Sequence, residues 1–137
     1  WWSASGKGLD IKASDNIEVL RALARDPLVV HATRADSLYG LMELMDAATR
    51  AAPRLALPLL VLHGEKDELV PMSSVRELAA ALPNGSRFAL YPDGYHLLLR
   101  DLQAELVIRD VAAWLIAPQA PLPSRADTAP AELAQSR

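Results

Sequence analysis

Apolar side chains recur along this chain first at helical spacing, then in short unbroken runs. Ile17, Leu20, Leu23 and Ala24 share one helical face, with Ser14 or Asp15 placed to cap it and Pro27 to end it. A second helical stripe over residues 37–51 carries Leu38, Leu41, Met42, Leu44, Met45 and Ala48. Its width and its two thioethers suit either core packing or the lining of a greasy pocket. After the connection from Pro53 to Pro58 the pattern changes. Leu59, Leu60, Val61, Leu62 and His63 form a run that is apolar on both faces and stops at Gly64, which predicts a strand in a covered parallel sheet. Ser73 or Ser74 then caps a helix to about Leu82, closed by Asn84 and Gly85. Residues 87–91 predict a second strand, Pro92-Asp93-Gly94 a turn, and Asp101 a cap for a helix. That helix buries Leu102, Leu106, Val107, Val111, Trp114 and Leu115.

The order strand, helix, strand, helix predicts an α/β fold with a parallel pair of strands. Three stretches divide the chain at residues 1–55, 56–116 and 117–137. The last is rich in Ala and Pro without an apolar period, and we expect a disordered tail whose removal after Pro118 leaves folding unchanged.

Composition narrows the function classes. The 137 residues hold 14 Lys and Arg against 17 Asp and Glu, a net charge of -3, which argues against nucleic acid as a partner. The absence of cysteine excludes disulfides, thiolate metal sites and a cysteine nucleophile. Apolar runs stop well short of the roughly 20 residues of a transmembrane helix. Ser5-Gly6-Lys7-Gly8 lacks both the hydroxyl residue and the preceding strand of a phosphate loop. The chain opens on Trp1 and Trp2, unlike a signal peptide, so we expect that its native start has been removed or that it is the later part of a longer product.

In parallel sheets, ligands gather beyond the carboxyl ends of the strands. Two loops emerge there, His63 to Pro71 and Tyr91 to His96. Singly, Asp67 would be a solvated loop acid and His96 a half-buried histidine. At neighbouring strand ends they are candidates for a carboxylate–imidazole couple, in which the acid fixes the tautomer and the far ring nitrogen acts as a general base. His63, before the tight Gly64 turn, is expected to be structural, and His31 a surface or packing residue. The three histidines have no metal-ligand spacing, and no cofactor is expected.

Leu60-Val61-Leu62-His63-Gly64 with Asp67, Val70 and Pro71 resembles the acid loop of serine α/β-hydrolases, and Tyr91-Pro92 through Gly94-Tyr95-His96 resembles their histidine loop. Arg25 to Val29, then the long helix and Ala52-Pro53-Arg54-Leu55, resemble the end of the cap of the monoacylglycerol lipase and lysophospholipase branch, also called serine aminopeptidase-like. The resemblance spans roughly residues 10 to 116. It implies that 1–55 ends a helical cap, that 56–116 is the carboxyl-terminal part of the hydrolase core, that Asp67 is the triad acid and His96 its base, and that Leu69, Val70 and Leu97 face the acyl pocket.

The family's nucleophile sits on a G-x-S-x-G turn, and that pattern is missing from these residues. Ser73, Ser74 and Ser86 are poor substitutes, the first two as helix caps and the third as a turn residue. Because the order in this fold is serine, acid, histidine, the nucleophile is expected upstream, and this chain alone is expected to be inactive. The reading is therefore the carboxyl-terminal part of a lipase- or lysophospholipase-like ester hydrolase acting on a lipid-like or other ester. Two alternatives stand: an epoxide-hydrolase-like enzyme with an upstream aspartate nucleophile, and a non-catalytic half-fold acting as an interaction module. A sheet cut to two strands leaves an open edge and an uncovered face. The expected partner is thus the missing amino-terminal half as a second chain, or another copy of this one.

Overall fold

The structure, a computed structural model, describes residues 2–3, 11–30 and 32–135. The sequence features at Trp1, at Ser5 to Gly8 and at His31 lie outside the described residues. In chain order the elements are β1 (Trp2–Ser3), α1 (Ile17–Arg25), β2 (Ala32–Thr33), α2 (Ala35–Ala51), a 3₁₀ turn (Ala52–Arg54), β3 (Leu60–Gly64), α3 (Met72–Ala81), β4 (Arg87–Tyr91), α4 (Ala104–Ile116), β5 (Asp127–Thr128) and α5 (Pro130–Gln135). Strands β1 and β2 form a short antiparallel ribbon.

The expected parallel pair is present, with β3 beside β4 in the register Leu60 to Arg87 through Gly64 to Tyr91. Successive side chains of a strand point to opposite faces, and that alternation splits the core in two. Phe88 packs with Val75, Ala79 and Leu133 on the face covered by α3 and α5, joined by Val61 and Leu90. Ala89 and Tyr91 pack with Val107 and Leu122 on the face covered by α4, joined by Leu60 and Leu62. Among the described residues nothing pairs with the outer edge of β3, and Leu60, Val61 and Leu62 stay only half-buried.

The tail corrects the expectation of disorder. After α4 the chain turns back and adds β5 antiparallel to the free edge of β4, with Phe88 opposite Thr128 and Ala89 opposite Asp127. Leu122, before β5, fills one face of the sheet, and Leu133, after it, fills the other. Polar contacts fix the path. Arg87 donates to the carbonyls of Pro118 and Ala120 at 2.6 and 2.7 Å and pairs with Asp127. The fully buried Asp110 accepts from the Tyr91 hydroxyl at 2.8 Å, from the Ser124 amide at 3.0 Å and from the Ser124 hydroxyl. The residues lack an apolar period because the two leucines act as isolated plugs on opposite faces, not as one stripe.

Three helix starts also differ from expectation. Asn16 caps α1, its side chain accepting from the Val19 amide at 3.3 Å. Ser14 instead donates to Asp101 at 2.6 Å, a buried contact between distant parts of the chain. Asp101 is therefore engaged elsewhere, and α4 starts later, after Gln103. Pro71, with no side-chain cap bond, precedes α3, leaving Ser73 and Ser74 inside the helix. Leu102 and Leu115 are exposed, as is the whole stripe from Leu38 to Ala48 on α2. The helical period was right; among the described residues nothing covers these side chains.

Candidate active site

Two strands in register deliver two loops to one place. The Glu65 amide donates to the Tyr91 carbonyl at 3.0 Å, the Lys66 amide to the Gly94 carbonyl at 2.9 Å, and the Asp67 amide to the Gly64 carbonyl at 3.0 Å. The approach is close enough to demand glycine: a Cβ on Gly64 would lie 2.4 Å from the Gly94 carbonyl carbon and oxygen. Outside the turn, Lys66 pairs with Asp93 at 2.5 Å, an exposed contact of small energetic weight.

Within this frame the Asp67 Oδ2 lies 2.9 Å from the His96 Nδ1. The Asp67 side chain is 6% exposed and that of His96 38%. The other carboxylate oxygen, Oδ1, accepts from the backbone amides of Leu69 at 2.8 Å and Val70 at 3.0 Å. Burial pushes the Asp67 carboxyl up, but the Val70 amide, the His96 ring and the Leu69 amide together hold it below the usual carboxylate range. The acid is thus ionised and oriented. With its proton on Nδ1, facing this carboxylate, the His96 ring would present Nε2 as an acceptor. His63 is buried beside the pair. Desolvation lowers its imidazole below the ordinary value, opposed by Asp67 and aided by His96, so it is held neutral.

The three expected pocket residues separate. Leu97 lines an apolar-walled cavity of about 340 Å³ together with His96, Leu62 and Leu98. Val70 lines a different cavity of about 420 Å³, between the end of α2 and α3, with Met45, Leu59 and Leu78. Leu69 is exposed and lines neither; its backbone amide, which clamps Asp67, is its visible contribution. Of the α2 stripe, Met45 and Ala48, at its end, line this second cavity, beside Thr49. Among the described residues no three His, Cys, Asp or Glu side chains converge on a metal-sized site, and no helix is long and apolar enough to cross a membrane.

Sequence reasoning missed the buried carboxylate behind this site. Asp101 accepts from the Tyr95 amide at 2.8 Å, directly before His96. The available signal was the spacing of an acid five positions after the histidine, which a helix-cap assignment absorbed.

Comparison with known proteins bears on the family and the fold. The model of the family described as serine aminopeptidase, S33, matches residues 1–103. A monoacylglycerol lipase of Mycolicibacterium smegmatis is 34% identical over 116 residues, covering 80% of this chain and 40% of that protein. A monoglyceride lipase of Rattus norvegicus is 30% identical over 95 residues, covering 66% of this chain and 31% of its own. The crystal structure of a Paleococcus ferrophilus monoacylglycerol lipase superposes with a TM-score of 0.69 at 24% identity, over 77% of this chain and 42% of that one. The chain spans well under half the length of each.

Proposed function

The chain belongs to the serine aminopeptidase S33 family and has part of an α/β-hydrolase fold; we propose that it is the carboxyl-terminal part of a serine ester hydrolase, supplying acid and base to a nucleophile on an upstream segment. The observation that carries the reading is the 2.9 Å contact between the buried Asp67 carboxylate and the half-exposed His96 ring.

In this reading residues 1–55 end the cap, and 56–116 complete the core around the site. His96 Nε2 takes the proton of the serine hydroxyl as its oxygen attacks the ester carbonyl. The same proton passes to the departing alcohol as the acyl-serine forms. Water then attacks the acyl-serine, giving its proton to His96, which returns it to the serine oxygen as the carboxylic acid leaves. Asp67 holds the tautomer and stabilises the imidazolium formed in each half. A fatty acyl ester of glycerol is the substrate class favoured by the lipase relatives and by the apolar wall of Leu62, Leu97 and Leu98 beside His96. The half-buried β3 edge supports a strand from the upstream half, or from a second copy, lying against it. Alone, the chain would hold no nucleophile and turn over no ester.

Intact mass of the purified protein before and after a fluorophosphonate probe tests this. A phosphonylated partner polypeptide, with this chain unlabelled, is the expected result. Phosphonylation of this chain itself would place the nucleophile within it and overturn the reading. A single unlabelled species of 14.9 kDa would favour a non-catalytic half-fold, and labelling by an epoxide instead would favour an aspartate nucleophile.

A further inference from the structure

Residues 11–16, ahead of α1, cross both loops of the site. The Lys12 amide donates to Glu68 at 3.0 Å, next to Asp67. The Ala13 carbonyl accepts from the Leu97 amide at 3.0 Å. Ser14, fully buried, donates from its hydroxyl to Asp101 Oδ1 at 2.6 Å, and Asp101 Oδ2 accepts from the Tyr95 amide at 2.8 Å. The Ser14 oxygen in turn accepts from the Asn16 amide at 3.1 Å, the Asp15 carboxylate from the Leu102 amide at 2.8 Å, and the Asn16 side chain donates to the Arg100 carbonyl at 3.1 Å.

Both amides flanking His96 are therefore tied to one segment, Leu97 directly and Tyr95 through Asp101. A buried carboxylate is costly unless its oxygens are filled by donors, and here one oxygen is filled by Ser14 and the other by the histidine loop. We propose that Asp101 and Ser14 are positioning residues that lock the backbone on either side of His96, so that its Nδ1–H stays on Asp67. The inference rests on the reading of His96 as the base. It makes the segment before α1 a brace for that base, and it depends on hydrogen-bond geometry, not on the charge of Asp101. An asparagine can offer its carbonyl to Tyr95 and its amide to the Ser14 oxygen, though the Ser14 hydroxyl then loses its acceptor, so Asp101→Asn keeps most of the brace and Asp101→Ala removes it.

The test is the solvent-exchange rate of the His96 Nδ1 proton, read by NMR in the full 137-residue chain labelled with ¹⁵N-histidine and assigned by the loss of the signal in His96→Gln. The dispersion of core amides around Phe88 and Tyr91 serves as the folding control. In Asp101→Ala we expect exchange faster by about tenfold or more with the control intact, the cost of leaving the Tyr95 amide and the buried Ser14 hydroxyl without their acceptor expressed as an equilibrium ratio. Asp101→Asn should bring the rate most of the way back to that of the parent. Ser14→Ala, a smaller truncation, should show an intermediate rate and decides the matter where Asp101→Ala fails to fold. Parent-like exchange in Asp101→Ala, or in Ser14→Ala in that case, overturns the brace while leaving the Asp67–His96 couple standing. A parent chain without a protected His96 signal overturns the couple and the brace together.

Discussion

Truncation after Pro118 should unfold this chain or leave it without fixed packing. The perturbation removes β5, α5 and both plugs. Leu122 and Leu133 are 2% and 1% exposed, and truncating one buried leucine to alanine costs about 2–5 kcal/mol. The two lie in separate clusters on opposite faces of the sheet, so their losses should add, to roughly 4–10 kcal/mol. Deletion also takes the Ser124 donors from buried Asp110 and uncovers the β4 edge, each an added cost. Whole domains are stable by only about 5–15 kcal/mol. Urea unfolding followed by tryptophan fluorescence, with near-ultraviolet circular dichroism for packing, compares the full chain, Leu133→Ala and the 1–118 truncation. Leu133→Ala should lower the unfolding free energy by about 2–5 kcal/mol at unchanged m-value, and the truncation should show no cooperative transition. An unchanged midpoint in the truncated chain would refute the packing argument.

Other perturbations probe the remaining contacts. Gly64→Ala should drive the two loops apart, because its Cβ would meet the Gly94 carbonyl at 2.4 Å; loss of the protected His96 ring proton by NMR checks this, and an undisturbed signal would count against the close approach. Tyr91→Phe leaves the Asp110 carboxylate one donor short and should cost about 1–3 kcal/mol in urea unfolding; a neutral result would mean that water replaces the hydroxyl. Stability should fall as pH drops from about 6.5. The folded protein keeps His63 neutral where the unfolded chain has begun to bind a proton, so the unfolded state gains protons first. His63→Leu should flatten that slope. Asp67, also depressed, adds stability above its ordinary value that is lost as pH falls on through its folded value.

Much of the frame was legible because its signals are local. The run from Leu60 to Gly64 is apolar on both faces, the pattern of a strand inside a parallel sheet, and the register of that sheet carries Asp67 and His96 to one side. What was hidden depends on partners far along the chain. Ser14 had the chemistry of a cap, yet Asp101, 87 positions away, takes its hydroxyl and leaves the capping to Asn16. Arg87 and Asp127 are 40 positions apart, and no periodicity announces their pairing. The stripe on α2 was correctly helical, but a pattern states which face is apolar without stating what covers it; from Leu38 to Met45 that face is open.

The most direct test of the acid–base pair is steady-state hydrolysis of a monoacylglycerol by the proposed hydrolase, this chain joined to an upstream segment that carries the nucleophile. The account predicts that His96→Ala abolishes acylation and that Asp67→Asn lowers kcat on the order of 10⁴-fold, as in serine protease triads where the acid loses its hold on the tautomer, with KM little changed. Turnover within a few-fold of the parent in either variant would contradict it.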